Sequence, residues 1–239
     1  MGGGSNPYTV FDLTPGRGKE YPEAFLAGYT GYVQADAYAG YNGVHGGVRH
    51  VGCWMHARRG FVEAQQSDPA KAGEALALIR TLYAVERALA DTGLVGDALA
   101  EGRRTRAGPV LDRFAGWLDI ESRTARPKSP LGAAIAYARN GWPSLTRYVT
   151  DGRLAIDNGP AERAVRPLAV GRRNWLFVGG DGGLATAAVL LSVCASAKRH
   201  GLNAWAYLRD LFDRLPAVPA GADLSPFLPD VWAATHLGR

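Results

Sequence analysis

Tyr32-Val33-Gln34-Ala35-Asp36 predicts a β-strand that ends in a carboxylate. Residues 8–13 and 48–53 predict two more short strands, and the pattern becomes helical from Met55 onward. Strands that alternate with helices favour an α/β fold, in which ligands and metals bind beyond the carboxyl ends of the strands. Asp36 is therefore a candidate site residue, although an aspartate that only begins a turn has the same appearance.

The middle of the chain has a different character. Leucines and other apolar residues recur at helical spacing over residues 78–89 and again over residues 111–118. The arginine-rich stretch around residues 103–106 predicts a basic loop between these two helices. We therefore expect a helical insertion at residues 67–128.

A second acidic residue, Glu162, lies at the predicted start of another helix. Gly159 is the predicted N-cap, which places Pro160 at the first helical position and Glu162 at the third. A glutamate there has a structural explanation, because it suits the positive end of the helix dipole and can pair with Arg166 four residues later.

The last third of the chain predicts a mixture of elements. Residues 172–178 are expected to be extended, and residues 179–183 form a glycine-rich turn. Residues 184–200 predict an almost wholly apolar and therefore buried helix, and a final amphipathic helix is expected after Asn203. The tail from residue 216 onward is expected to be loop.

Composition narrows the class of protein. Of the 239 residues, 47% are hydrophobic and 21% charged, which is typical of a globular chain. The 27 Lys and Arg exceed the 22 Asp and Glu by five, a balance that suits a nucleic-acid partner but also a solvated surface. Two cysteines exclude a disulfide scaffold and a four-cysteine zinc site. With no signal peptide or membrane span predicted, we expect a soluble protein of the reducing cytoplasm.

Two further patterns bear on chemistry. Cys53 and His56 have the spacing of a metal-ligand pair, but a zinc site needs about four ligands and no second pair follows. Several arginines are candidates for phosphate contact because arginine binds phosphate in bidentate fashion, and a solvated face explains them equally well. They are Arg58, Arg59, Arg163, Arg166, Arg172 and Arg173.

Several segments together resemble the DDE transposases of the insertion sequence 66 family. They follow one another in the family's order, at residues 36–41, 51–59, 151–167, 171–177 and 206–210. The third of them contains Asp157-Asn158-Gly159-Pro160 followed by Ala161 and Glu162.

The resemblance implies a ribonuclease-H-like mixed sheet with a helical insertion and a helical C-terminal element. It implies that Asp36 and Glu162 are metal-binding catalytic carboxylates for Mg²⁺ or Mn²⁺, that the arginines above contact DNA, and that the chain acts as an oligomer on transposon ends and target DNA. Cys53 and His56 match a Cys-x-x-His element for which we expect a structural role. The expected division is 1–66 and 129–189 for the two halves of the core, 67–128 for the insertion and 190–239 for the C-terminal element.

One departure from the family pattern concerns the first aspartate. In the family it lies on the first core strand, upstream of a glycine-containing loop that residues 2–4 resemble. We therefore expect a truncated or decayed transposase that lacks this strand, or a longer gene whose start codon was assigned too far downstream. Two alternatives stay open: a DNA-binding or dimerising remnant that modulates a full-length transposase, and a metal-dependent nuclease in which Asp12 or Asp157 replaces the absent carboxylate.

Overall fold

The computed structural model describes residues 8–36, 39–44, 46–175 and 179–236. The chain forms two compact units. The central unit comprises residues 18–159, and the terminal unit joins residues up to 17 with those from 160 onward. The fold is mostly helical, with one small parallel sheet among the described residues, so the α/β class holds in this coarse form. The division predicted at residues 66, 128 and 189 stays a prediction.

The central unit contains a pair of strands and six helices in its described part. In chain order these are α1 (Glu20–Phe25), β1 (Gly31–Gln34), β2 (Val48–Val51), α2 (Trp54–Ala64), α3 (Pro69–Ala90), α4 (Gly96–Glu121), α5 (Pro130–Asn140) and α6 (Trp142–Thr146). The strands are parallel, and their register aligns Gly31 with Val48 and Gln34 with Val51. The strand predictions at 32–35 and 48–53, and the helix predicted from Met55, are thus confirmed.

Aromatic rings form the centre of the core in this unit. The Trp54 ring lies 5.7 Å from that of Phe114 and 5.9 Å from that of Trp142. Phe61, two turns further along α2, packs on Phe114 with a centroid distance of 6.0 Å. Burial of each such side chain stabilises the fold by about 1.5–3 kcal/mol, so this cluster fixes α2 against the long helices.

The basic loop predicted around residues 103–106 is wrong, because α4 runs straight through it. Ala100, Ala107 and Phe114 recur at helical spacing and are buried, and this apolar face keeps the segment helical. Arg103 lies on the same face and is only 4% exposed.

The terminal unit is built from helices α7 (Gly159–Trp175), α8 (Asp181–Arg199), α9 (Ala204–Arg214) and α10 (Pro229–His236). Its small core contains Tyr207, Leu211 and Trp232. The predicted start of α9 is confirmed, since the Asn203 side chain accepts a hydrogen bond from the amide of Ala206 at 3.1 Å. The loop predicted for the tail is wrong over α10.

Residues 8–13 do not form the predicted strand. They are extended, but serine hydroxyls of α8 bind their backbone instead of a neighbouring strand. The amide of Phe11 donates to Ser192 Oγ at 2.8 Å, and Ser196 Oγ both accepts from the Thr9 amide and donates to the Thr9 carbonyl at 3.0 Å. The backbone groups of this extended segment thus find their hydrogen-bond partners on a helix and not on a neighbouring strand.

Two further predictions fail in the terminal unit. The extended segment expected at 172–178 is helical as far as Trp175, and residues 176–178 lie outside the described part. The helix expected to be wholly buried exposes Val189 to 61%. Within the described ranges, no helix has both the length and the apolar character that crossing a bilayer requires.

Candidate active site

Asp36 lies just beyond the carboxyl end of the parallel strand pair. The ladder continues past β1, where the Ala35 amide donates to the Val51 carbonyl at 3.2 Å. Asp36 follows Gln34 by two residues, as Cys53 follows Val51, so Asp36 and Cys53 occupy equivalent positions after the two strands. This is the sheet edge at which α/β proteins bind ligands, as predicted for Asp36.

A connecting segment, residues 151–158, forms the end of the central unit before α7 and is bound closely at this edge. The side-chain amide of Gln34 donates to the Ala155 carbonyl at 2.6 Å and to the Gly52 carbonyl at 3.3 Å. The amide of Trp54 donates to the Ile156 carbonyl at 3.2 Å. The end of β1 and the start of α2 therefore hold the segment that precedes Glu162.

Arg103 holds the same region from the side of α4. Its Nη1 donates to the carbonyls of Tyr148, Asp151 and Leu154, at 3.1, 3.3 and 2.9 Å. Its Nε and Nη2 donate to the two carboxylate oxygens of Glu86 at 2.9 and 2.7 Å. This buried, bidentate ion pair is structural. This ion pair is not predicted from the sequence because residues 103–106 are expected there to form a loop. On a helix, Arg103 lies four residues before the apolar Ala107 and therefore on the same inward-facing side.

Tyr83 and Asp157 form the last contact before α7. The Tyr83 hydroxyl donates to Asp157 Oδ2 at 2.7 Å, and the Gly159 amide donates to Asp157 Oδ1 at 3.0 Å. Burial, followed by the hydrogen bond to Asp157, raises the pKa of Tyr83 well above its ordinary value. Both carboxylate oxygens of Asp157 thus accept hydrogen bonds within the protein, which argues against Asp157 as a substitute metal ligand.

Cys53 is fully buried at the N-cap of α2. Burial raises the pKa of its thiol, while the backbone amides of Asn158, His56 and Met55 act in the opposite direction. The neutral thiol and its contact with the connecting segment suit the structural role expected for Cys53 and His56, which stays a prediction. In the described ranges, no three His, Cys, Asp or Glu side chains are grouped to hold a metal ion.

Glu162 and several candidate DNA contacts lie on α7. Glu162 is half-buried in the first turn, and Arg163, Arg166 and Arg173 are exposed. Because Arg166 and Arg173 follow Glu162 by four and eleven residues, these three share one face of the helix. The side chain of Arg172 lies outside the described part of the structure.

Arg58 and Arg59 lie on the exposed face of α2, opposite the buried Trp54 and Phe61. They share the central unit with Asp36, whereas Glu162 belongs to the terminal unit. Oxygen donors of this type suit Mg²⁺, but neither unit alone supplies a complete set of carboxylate ligands in its described part. The convergence of Asp36 and Glu162 stays a prediction.

Comparison with known proteins places the chain in a family. Residues 2–186, well over half of the chain, match the Transposase IS66 family. Three uncharacterized proteins of Sinorhizobium fredii (strain NBRC 101917 / NGR234) are similar over almost the whole chain. Protein y4hP is 29% identical over 97% of this chain and 45% of its own length, y4jD 29% over 99% and 48%, and y4qI 27% over 95% and 44%. The chain thus spans about half the length of the curated relatives it matches. No solved structure matches it. The chain belongs to the IS66 family of transposases.

Proposed function

We propose that this chain carries catalytic residues of a DDE transposase, which cuts DNA at transposon ends and joins the ends to target DNA. The observation that carries the proposal is the family match over residues 2–186, which includes Asp36, Glu162 and all six candidate arginines. The position of Asp36 beyond the carboxyl ends of two parallel strands supports it independently.

The proposed roles of the carboxylates follow from their chemistry. Asp36 and Glu162 offer the oxygen donors that Mg²⁺ and Mn²⁺ prefer, with water and DNA phosphate as further ligands. Such a metal, when bound, polarises the phosphate and activates the attacking oxygen. Asp36 follows a rigid strand, and Glu162 sits in the first turn of a helix, so each carboxylate is presented from a regular element.

Exposed arginines supply the proposed DNA contacts. On α7, Arg166 and Arg173 extend from Glu162 along one helix face, and their guanidinium groups suit bidentate contact with DNA phosphates. Arg58 and Arg59 offer a second pair on α2. Positioned cations of this kind stabilise the charge that develops in phosphoryl transfer.

We also propose that β1 and β2 belong to a larger ribonuclease-H-like mixed sheet. Among the described residues β1 pairs with β2 alone, and a parallel pair this small rarely stands by itself. A solved structure of one of the longer relatives tests the idea: a further strand is expected on the side of β1 that faces away from β2. A relative in which that side packs only helices refutes it.

Site mapping with Fe²⁺ tests the metal roles without requiring turnover. Fe²⁺ bound in place of Mg²⁺, with ascorbate and peroxide, cuts the backbone close to the metal. Fragments ending near residues 36 and 162 are expected, and both should disappear in Asp36→Asn and in Glu162→Gln. Glu63→Gln, which changes an exposed glutamate on α2, is the control and should leave the pattern unchanged. Absence of both cuts in the unaltered chain refutes the metal roles.

A second candidate function is DNA binding without catalysis, by a chain that modulates a full-length transposase through shared ends or direct association. The exposed arginines favour it, as does the lack of a metal-ligand trio in the described ranges. Binding to transposon-end DNA that weakens steeply with salt, needs no divalent metal and is accompanied by no Mn²⁺-dependent cleavage supports this second function. Cleavage that is lost in both carboxylate variants supports the first.

A further inference from the structure

The connecting segment is bound by the rest of the central unit along most of its length. Arg103 binds the carbonyls of Asp151 and Leu154, Gln34 binds that of Ala155, and the Trp54 amide binds that of Ile156. A segment without regular structure has no internal partners for these groups, so such contacts fix its path.

The last contact is different because it reaches the helix itself. Asp157 uses Oδ2 to accept from Tyr83 and Oδ1 to accept from the amide of Gly159, the first residue of α7. Tyr83 in turn sits on α3 between the buried Ile79, Leu82 and Leu89, none of which is more than 1% exposed. Hydrogen bonds thereby connect the start of α7 to a well-buried part of α3.

We propose that Tyr83 and Asp157 are positioning residues for Glu162. The predicted helical insertion then acts as a scaffold that sets where α7 begins, and Glu162 lies in the first turn of that helix. The inference rests on the proposed catalytic role of Glu162. Displacement of a reacting group by about 1 Å can cost up to about a hundredfold in rate, so loss of one well-placed hydrogen bond is expected to be visible in catalysis.

Tyr83→Phe removes the hydrogen bond to Asp157 and so tests the proposal, and the chain offers a matched control. Tyr148 is another tyrosine of the same unit, fully buried where Tyr83 is partly buried, and its hydroxyl has no hydrogen-bond partner among the described residues. Tyr83→Phe is expected to lower the rate of Mn²⁺-dependent cleavage of end DNA at least tenfold with an unchanged KM for DNA. Tyr148→Phe should stay within twofold of the unaltered chain. Equal rates in the two variants overturn the proposal.

Substitution of Asp157 separates positioning from a role in metal binding. Asp157→Asn keeps Oδ1 for the Gly159 amide and can offer its amide hydrogen to the Tyr83 oxygen, so most of the rate should be retained. Asp157→Ala removes both contacts and should match or exceed the loss in Tyr83→Phe. An Asp157→Asn variant as inactive as Glu162→Gln indicates that Asp157 binds metal instead, and overturns the proposal.

Hydrogen exchange decides the inference even if the chain does not cleave DNA. Tyr83→Phe is expected to raise amide exchange over residues 157–166 more than fivefold, with Tyr148→Phe unchanged. Equal amide protection over residues 157–166 in both variants refutes the positioning role of the Tyr83–Asp157 hydrogen bond. The unaltered chain is therefore compared in two assays. If it shows neither DNA cleavage nor Fe²⁺ cuts, but the two variants differ clearly in amide exchange, the proposed function is refuted and the Tyr83–Asp157 hydrogen bond is retained as a structural contact.

Discussion

Replacement of Arg103 by Met should destabilise the central unit by about 3–4 kcal/mol. Removing one member of a buried ion pair typically costs about 3–5 kcal/mol, because the other charge is left without its partner. Glu86 keeps 17% of its side chain exposed, which lets water relieve part of that cost and favours the lower half of the range. The carbonyls of Tyr148, Asp151 and Leu154 also lose their donor in this variant.

The neighbouring residue provides the control. Arg104 lies on the solvent face of α4 and pairs with Glu101, whose side chain is 66% exposed. Surface ion pairs contribute about 0–1 kcal/mol to stability, so Arg104→Met should change the free energy of unfolding very little. Denaturant unfolding followed by circular dichroism compares the two variants, and thermal unfolding of Arg103→Met should shift by roughly 10 °C. An Arg103→Met variant that loses under about 1 kcal/mol shows that Arg103 does not hold the connecting segment.

Two shorter predictions concern other parts of the chain. Arg153 holds the pKa of Asp151 at about 2, below its ordinary value of 3.8, so stability from this contact should be complete above about pH 4 and be lost as the pH falls towards 2. Arg153→Met should return that pKa towards about 4 in an NMR titration, and an unchanged value contradicts the assignment. Trp205 is 75% exposed and Trp232 only 6%, so Trp232→Ala should cost about 3–5 kcal/mol and Trp205→Ala less than about 0.5 kcal/mol. Similar losses of stability in both variants contradict the exposed position of Trp205 on α9.

The elements best predicted from sequence are those specified by nearby residues. The strand that ends before Asp36, the second strand at 48–51 and the cap at Asn203 all depend on local composition or on a contact three residues away. The position of Asp36 relative to the sheet follows from the same local pattern. Local reasoning fails where a distant element supplies the partner, as in residues 8–13, whose backbone bonds go to a helix more than 180 residues away in sequence.

The long helix α4 escaped prediction for a related reason. Glycines and Pro109 lie inside it, each of which lowers helix propensity, and its arginines favour a solvent-exposed loop. Burial against the core overrides both signals, since Ala107 and Phe114 are fully buried. The buried position of Arg103 becomes visible only once the helix is assumed to continue.

The contacts around the candidate site were beyond sequence reasoning because they join residues far apart along the chain. Gln34 lies 121 residues from its partner Ala155, and Tyr83 lies 74 residues from Asp157. Ala155 takes part only through its backbone carbonyl, and Gln34, Tyr83 and Asp157 are polar residues with several plausible local roles, so composition alone could not identify these pairs. The family resemblance supplied Glu162, but it gave no reason for its placement.

That reason lies in the path of the connecting segment. A glutamate carried on a helix that follows an irregular segment is only as well placed as the segment, because each free backbone residue adds rotational freedom ahead of the carboxylate. Donors from β1, α2 and α4 remove that freedom at successive carbonyls, and Tyr83 removes it at Asp157, immediately before the helix begins. Helices α3 and α4 therefore do more than fill the core, because they supply two of these holding groups, Tyr83 and Arg103. A change in these helices that preserves both residues in position should be tolerated far better than one that shifts either of them by a single helical step.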